Sequence, residues 1–297
     1  MNPHPAWRHL AKGLAAWSCL ALLATSGAST ADRGGQVDEQ SAFLARVDQR
    51  VSSYPEYKSW QAAVVSRQTE MDKNWRPQLV TVVTKTVRLA DGVYEEDIGQ
   101  ALETKKGKTK DVTAEFREEA REAAEKARRR RAEANQAGGG ERRTLSFAIK
   151  DILPFGAARR ERYDFTFLVD GRPDKPGAVV IQARLKDALR GKDTDSPARG
   201  DEKEAADGRE GDRRRPNFNW EGTFVIDPAT HDVLRLEVRP AGKVRFVKRM
   251  ELAVDFILLE GGQLVPARIK TAVEAGFFLK HVRMEAEEEY SNYRILE

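Results

Sequence analysis

Between Trp220 and Arg239 the chain alternates apolar and polar residues with the period of a β-strand, breaks once, and alternates again. Trp220, Gly222, Phe224 and Ile226 fall on one side, and Glu221, Thr223 and Val225 on the other. Asp227-Pro228 interrupts the run, after which Leu234, Leu236 and Val238 alternate with Arg235, Glu237 and Arg239. Successive side chains of a strand point to opposite faces, so the pattern specifies a hairpin with one dry face and one wet face. The same alternation returns in Tyr163, Phe165, Phe167 and Val169 and in Leu252, Val254, Phe256 and Leu258. A sheet patterned this way must cover its apolar face. Whether a packed core or a bound cargo covers it is the functional question.

The rest of the chain supplies the cover. A helix is expected from Asp38, as N-cap, to Ser52, with Phe43, Leu44, Val47 and Val51 recurring on one stripe and Tyr54-Pro55 ending it. Strands are expected at 60–71, 79–88 and 93–102, with a turn at Asp91-Gly92. Further strands follow at 145–152, 163–169 and 178–185, the last two joined by a turn at Asp170-Gly171. The final three are expected at 250–259, 264–275 and 280–289. Tyr290 and Tyr293 then lie beyond the regular alternation and would cover a sheet edge. Two stretches interrupt the pattern. Residues 103–143 are charged all round, with Phe116 almost their sole large apolar residue, and contain a solvated helix over 113–136, ended at Gly138-Gly139-Gly140. Residues 190–216 carry no hydrophobic pattern and read as a disordered loop. The expected fold class is α+β: a curled antiparallel half-barrel of about ten strands plugged by the amino-terminal helix. The strands flanking each interruption look alike, so residues 32–297 form one domain with two insertions.

The first 31 residues stand apart. Arg8 and Lys12 precede an apolar run from Gly13 to Thr25, followed by small residues with Ala28 or Ala31 as cleavage points, the three parts of an export signal. The run is short for a membrane span. Cys19, the single cysteine, lies inside the run rather than at its end, which disfavours lipid anchoring there. Export to the periplasm as a thiol-free chain is the expectation. Net charge is +4, but it is unevenly placed. The leader holds two basic residues, 103–143 thirteen basic against nine acidic, and 190–215 eight of each. Of the 51 basic and 47 acidic residues this leaves 28 against 30 for the folded part. That part is not basic, which argues against nucleic acid as a partner. The run Arg128, Arg129, Arg130 and Arg131 reads either as a solvated face or as a contact for an anionic membrane surface.

No pattern specifies catalysis. His231 sits in a turn and His281 on a wet face with Arg283 and Glu285, neither beside a second histidine or a cysteine at metal-ligand spacing. Nucleophile-elbow and His-Glu-x-x-His motifs are absent, and Gly107-Lys108-Thr109 lacks the first glycine of a phosphate loop. No metal, cofactor or enzymatic activity is expected. The candidate binding residues are the apolar ones that would meet between helix and sheet: Phe43, Val47, Val51, Phe165, Phe167, Trp220, Phe224 and Phe256.

The Leu153-Pro154-Phe155 step before Tyr163-Asp164-Phe165, the Trp220–Glu237 hairpin and the closing Glu289-Tyr290-Ser291-Asn292-Tyr293-Arg294 resemble the outer-membrane lipoprotein-sorting-like proteins of the LolA/LolB carrier superfamily. The resemblance covers 38–297 without the insertions. It implies a half-barrel and helix enclosing an apolar cavity for the acyl chains of a lipid or lipoprotein. Two alternatives stay open: an envelope interaction or sensing module with a filled core, and a hydrolase whose nucleophile the sequence does not mark.

Overall fold

The computed structural model describes residues 33–55, 59–90, 93–136, 152–168, 176–189, 219–244, 246–277 and 280–296. Residues 1–32 with Cys19, the turns expected at 91–92 and 170–171, the glycine break, the strand expected over 145–151 and the disordered loop expected over 190–216 lie outside them. Ile152, the last residue of that expected strand, is in a turn.

Helix α1 (Arg33–Ser52) leads into β1 (Trp60–Met71), β2 (Pro77–Ala90), β3 (Val93–Lys105) and β4 (Lys108–Asp111). Helix α2 (Thr113–Gln136) and the single turn α3 (Ala157–Arg160) precede β5 (Tyr163–Leu168) and β6 (Val179–Leu185). Then come β7 (Trp220–Ile226), β8 (Val233–Pro240), β9 (Val247–Leu258), β10 (Leu264–Phe277) and β11 (Lys280–Ile295). All eleven strands form one antiparallel sheet in the order β4-β3-β2-β1-β11-β10-β9-β8-β7-β6-β5. Neighbours in the sheet are consecutive in sequence, β6 and β7 across the long stretch 186–219, except where β1 pairs with β11 and joins the two ends of the chain. β4 and β5 are the outer edges, so the sheet curls without closing: an α+β half-barrel.

Register carries one face across the sheet. Phe167, Ile181, Phe224, Leu236, Val254, Ile269, Glu288, Ser66, Val83 and Ala101 occupy a single cross-strand row. Both long helices lie on this inner face. α1 presents Leu44, Val47 and Val51 to the half built from β5 to β9, and α2 packs against β2 and β3. The outer face is a ladder of ion pairs, including Arg235 with Glu237 and Asp255, Arg249 with Glu251, Arg283 with Glu274 and Lys270 with Glu287. Opposite charges on neighbouring strands of a wet face favour this register over a one-residue slip.

Four expectations change. α1 begins at Arg33 rather than Asp38, since Gly34 and Gly35 weaken a helix without forbidding one. The sheet continues into the charged insertion, with β3 reaching Lys105 and turning through Lys106-Gly107 at positive φ into β4. α2 is not solvated all round. Phe116 and Ala120, with the half-buried Ala124 and Ala127 farther along the same stripe, form a narrow apolar face, and Phe116 and Ala120 pack on Val83, Ile98, Ala101 and Val112. Alanines escape a search for large apolar residues but allow close approach of backbones. Lastly, Tyr290 and Tyr293 cover no edge. They belong to β11, at the centre of the sheet, where a bulge at Asn292 (φ 53°) shifts the alternation and turns both rings inward.

Candidate functional site

The candidate residues come together. Val47, Val51, Trp220 and Phe224 are buried members of one cluster between α1 and the inner face, and Phe43, Phe165, Phe167 and Phe256 pack against it half-buried. Trp220, at the start of β7, is 6% exposed within that cluster. The segment Ile152–Phe155 folds into the same space, bringing Phe155 5.1 Å from Phe224 and 6.1 Å from Phe165. Phe43 meets Phe167 edge-on at 5.9 Å. Val47 and Phe224 have 0% exposure, so no water-sized space borders them. A ligand on this face would reach the half-buried rings first.

α1 is held over this cluster by polar contacts at its carboxyl end. Asp232, buried in the β7–β8 turn, accepts from Arg50 Nε at 2.6 Å and from the Tyr54 hydroxyl at 2.9 Å. The Val233 N–H donates to that hydroxyl at 3.4 Å. Arg46 Nε donates to Nε2 of His231 at 3.0 Å, and the imidazole lies 5.1 Å from the Phe43 ring. Burial alone would raise the Asp232 carboxyl, but hydrogen bonds from Arg50, Thr230 and Tyr54 outweigh it and hold the carboxyl below its usual range. Burial, reinforced by Asp232, pushes the Tyr54 hydroxyl well above the normal phenol value.

The other half of the inner face carries a feature that sequence reasoning missed. Lys85 is 9% exposed and stands in β2 beside Val64, in line with the buried Thr81, Val83 and Val87. Its Nζ donates to Glu96 of β3 at 2.8 Å and to Glu288 of β11 at 3.2 Å. The Tyr290 hydroxyl donates to the other oxygen of Glu288 at 2.6 Å, and Tyr94 hydrogen-bonds Glu96. Burial opposes the charge on Lys85, but both carboxylates favour it and the net effect raises its pKa. Burial, then the same carboxylates, holds the hydroxyls of Tyr94 and Tyr290 well above the phenol range. Alongside, Trp60 packs 5.6 Å from Tyr293, and Tyr293 stacks 6.3 Å from Tyr290. The available signal was a lysine in the dry register of an otherwise alternating strand.

Of the arginine run, Arg128 pairs with Glu95 of β3 and Arg129 is exposed; the side chains of Arg130 and Arg131 lie outside the description. Arg117 donates to the carbonyls of Ile98 and Gly99 at 2.8 and 3.0 Å, fastening α2 to the β3 bulge. Among the described residues no group of three His, Cys, Asp or Glu is placed to hold a metal, and no helix is long and apolar enough to cross a membrane.

No family model matches the chain, and no curated protein matches it. Solved structures do. An outer membrane lipoprotein-sorting protein domain from Vibrio parahaemolyticus is 10% identical, over 86% of this chain and 93% of that one, with a TM-score of 0.33. A LolA superfamily protein from Nitrosomonas europaea is 11% identical, over 86% and 93%, with a TM-score of 0.31.

Proposed function

We propose that the protein is a non-catalytic binding protein of the cell envelope, exported by its leader, that holds the acyl part of a lipid or lipoprotein against the inner face of the half-barrel. The observation carrying this reading is the inner face itself. One apolar cluster runs across β5 to β9 beneath α1, and its aromatic members Phe43, Phe165, Phe167 and Phe256 stay only half-buried. Apolar surface left partly open beside a helix fixed mainly at one end suits an acyl chain, which needs contact area and no directional partner. Entry at the Phe43 side requires α1 to tilt about its Asp232 anchor.

The test is native mass spectrometry of the exported chain isolated from the periplasm without detergent. A reproducible added mass that resolves into lipid on denaturation is the expected result. An apo mass unchanged after incubation with lipid would sink the proposal and leave a filled core. Replacing the half-buried Phe43 by aspartate should abolish the added mass in a chain that still folds.

A further inference from the structure

The cluster around Lys85 contains one cation and two carboxylates, Glu96 and Glu288, on the inner face of a sheet whose other half is apolar. Its hydroxyls are neutral donors to those carboxylates, so the group carries one excess negative charge. Buried excess charge is costly unless something compensates it. The Glu96 side chain keeps 26% exposure and Glu288 13%, so their remaining lone pairs are within reach of an incoming donor. A second observation is independent of the first. Trp60 is 8% exposed and its indole N–H has no acceptor among the described residues. Trp60 rises from the same face of β1 as Val64, the neighbour of Lys85, and its ring meets Tyr293 at a tilt of 54°, Tyr293 in turn stacking on Tyr290. Two needs therefore lie on one face, four residues apart along β1: a cation with hydrogens to donate, and an acceptor oxygen.

We propose that the Glu96–Lys85–Glu288 cluster and Trp60 form a headgroup site for a primary-amine phospholipid. The ammonium donates to the free lone pairs of Glu96 and Glu288, and a phosphate or ester oxygen accepts from Trp60. The Tyr290 hydroxyl holds Glu288 in place beside the ammonium, and the acyl chains continue onto the apolar half of the face. This assignment rests on the carrier reading above and adds the identity of the polar end. A trimethylammonium group cannot donate to the carboxylates, and an anionic glycerol headgroup is repelled by the excess charge.

The test incubates the protein with detergent-free vesicles of phosphatidylethanolamine, phosphatidylcholine or phosphatidylglycerol with identical acyl chains and measures bound lipid by native mass spectrometry. The wild type should retain the ethanolamine lipid about tenfold over the other two, the scale of one charge-assisted hydrogen bond. Glu288→Gln should remove the preference while total uptake persists. Glu96→Gln, at a more exposed side chain, makes the same measurement if Glu288→Gln does not fold. Trp60→Phe should lower retention of all three lipids. Phosphoethanolamine alone should compete weakly; full competition at equal concentration would make the site one for a free amine and overturn the lipid assignment. Uptake of all three lipids without discrimination, or discrimination surviving both glutamine variants, overturns the headgroup site while the carrier reading stands. Uptake of none overturns both.

Discussion

Asp232→Asn tests whether α1 is pinned over the inner face by a polar anchor or held by its apolar stripe alone. The substitution keeps volume and one acceptor oxygen but removes the charge that receives Arg50 at 2.6 Å and the Tyr54 hydroxyl at 2.9 Å. A hydrogen bond to a charged group contributes about 1.5–3 kcal/mol and a neutral one about 1, and a buried donor left unpaired costs more. The Arg50 side chain is 31% exposed and can rehydrate, which reduces its share. The expected loss is about 2–3 kcal/mol, or roughly 5–10 °C in Tm for a domain of this size. Urea denaturation at pH 7 should show a lower midpoint with unchanged slope. The pH dependence sharpens the test. Because the folded Asp232 pKa is depressed, its contribution is fully present above about pH 4, the unfolded value, and is lost as pH falls through the folded one. The gap between wild type and Asp232→Asn should therefore close in acid. A gap below about 0.5 kcal/mol at pH 7, or one equally large in acid, would refute the anchor.

Three other outcomes follow from the same geometry. Gly222→Ala would set a Cβ 2.0 Å from the Glu237 carbonyl oxygen and 2.7 Å from the Val238 Cα, both backbone; separating β7 from β8 should cost more than about 4 kcal/mol, visible as loss of the cooperative thermal transition. Phe116→Asp should release α2 from β3 and speed hydrogen exchange in 113–136, while α1 and β5 to β9 keep their protection. Lys85→Met leaves Glu96 and Glu288 facing each other without a cation, a loss of about 3 kcal/mol at pH 7 that should shrink as acid protonates them, measured by thermal melts across pH.

Sheet and α1 were legible because their information is periodic. Alternation in 220–239 and 250–259 fixes faces, and the spacing of Leu44, Val47 and Val51 fixes a helical stripe, without reference to any distant residue. What escaped depends on single residues that break a period. Asn292 adds one residue to β11, so Tyr290 and Tyr293 share a face at a spacing of three, which a period-2 reading assigns to no strand. Gly99 does the same to Ile98 and Ala101 in β3. The α2 contact was hidden because its stripe is alanine, whose small side chain registers weakly on any scale of apolarity. The pairing of β1 with β11 joins residues more than 200 apart and has no local signature.

The inner face is chemically divided, and the division follows the topology. The half made by β5 to β9 is built from sequence-adjacent antiparallel strands whose inward positions are uniformly apolar, and α1 covers it with its own apolar stripe. The half made by β3, β2, β1 and β11 brings together strands from both ends of the chain, and it is here that Lys85, Glu96 and Glu288 meet. An ion group costs less than an equal patch of carbon only where solvent or a polar ligand reaches it. Replacing all three with leucine should then stabilise the fold if the cluster is merely structural, because buried ion groups commonly lose to packed hydrocarbon. A triple variant that melts higher yet loses lipid discrimination would separate the two roles. One that melts higher and still discriminates would show that the polar end of the cargo lies elsewhere on the face.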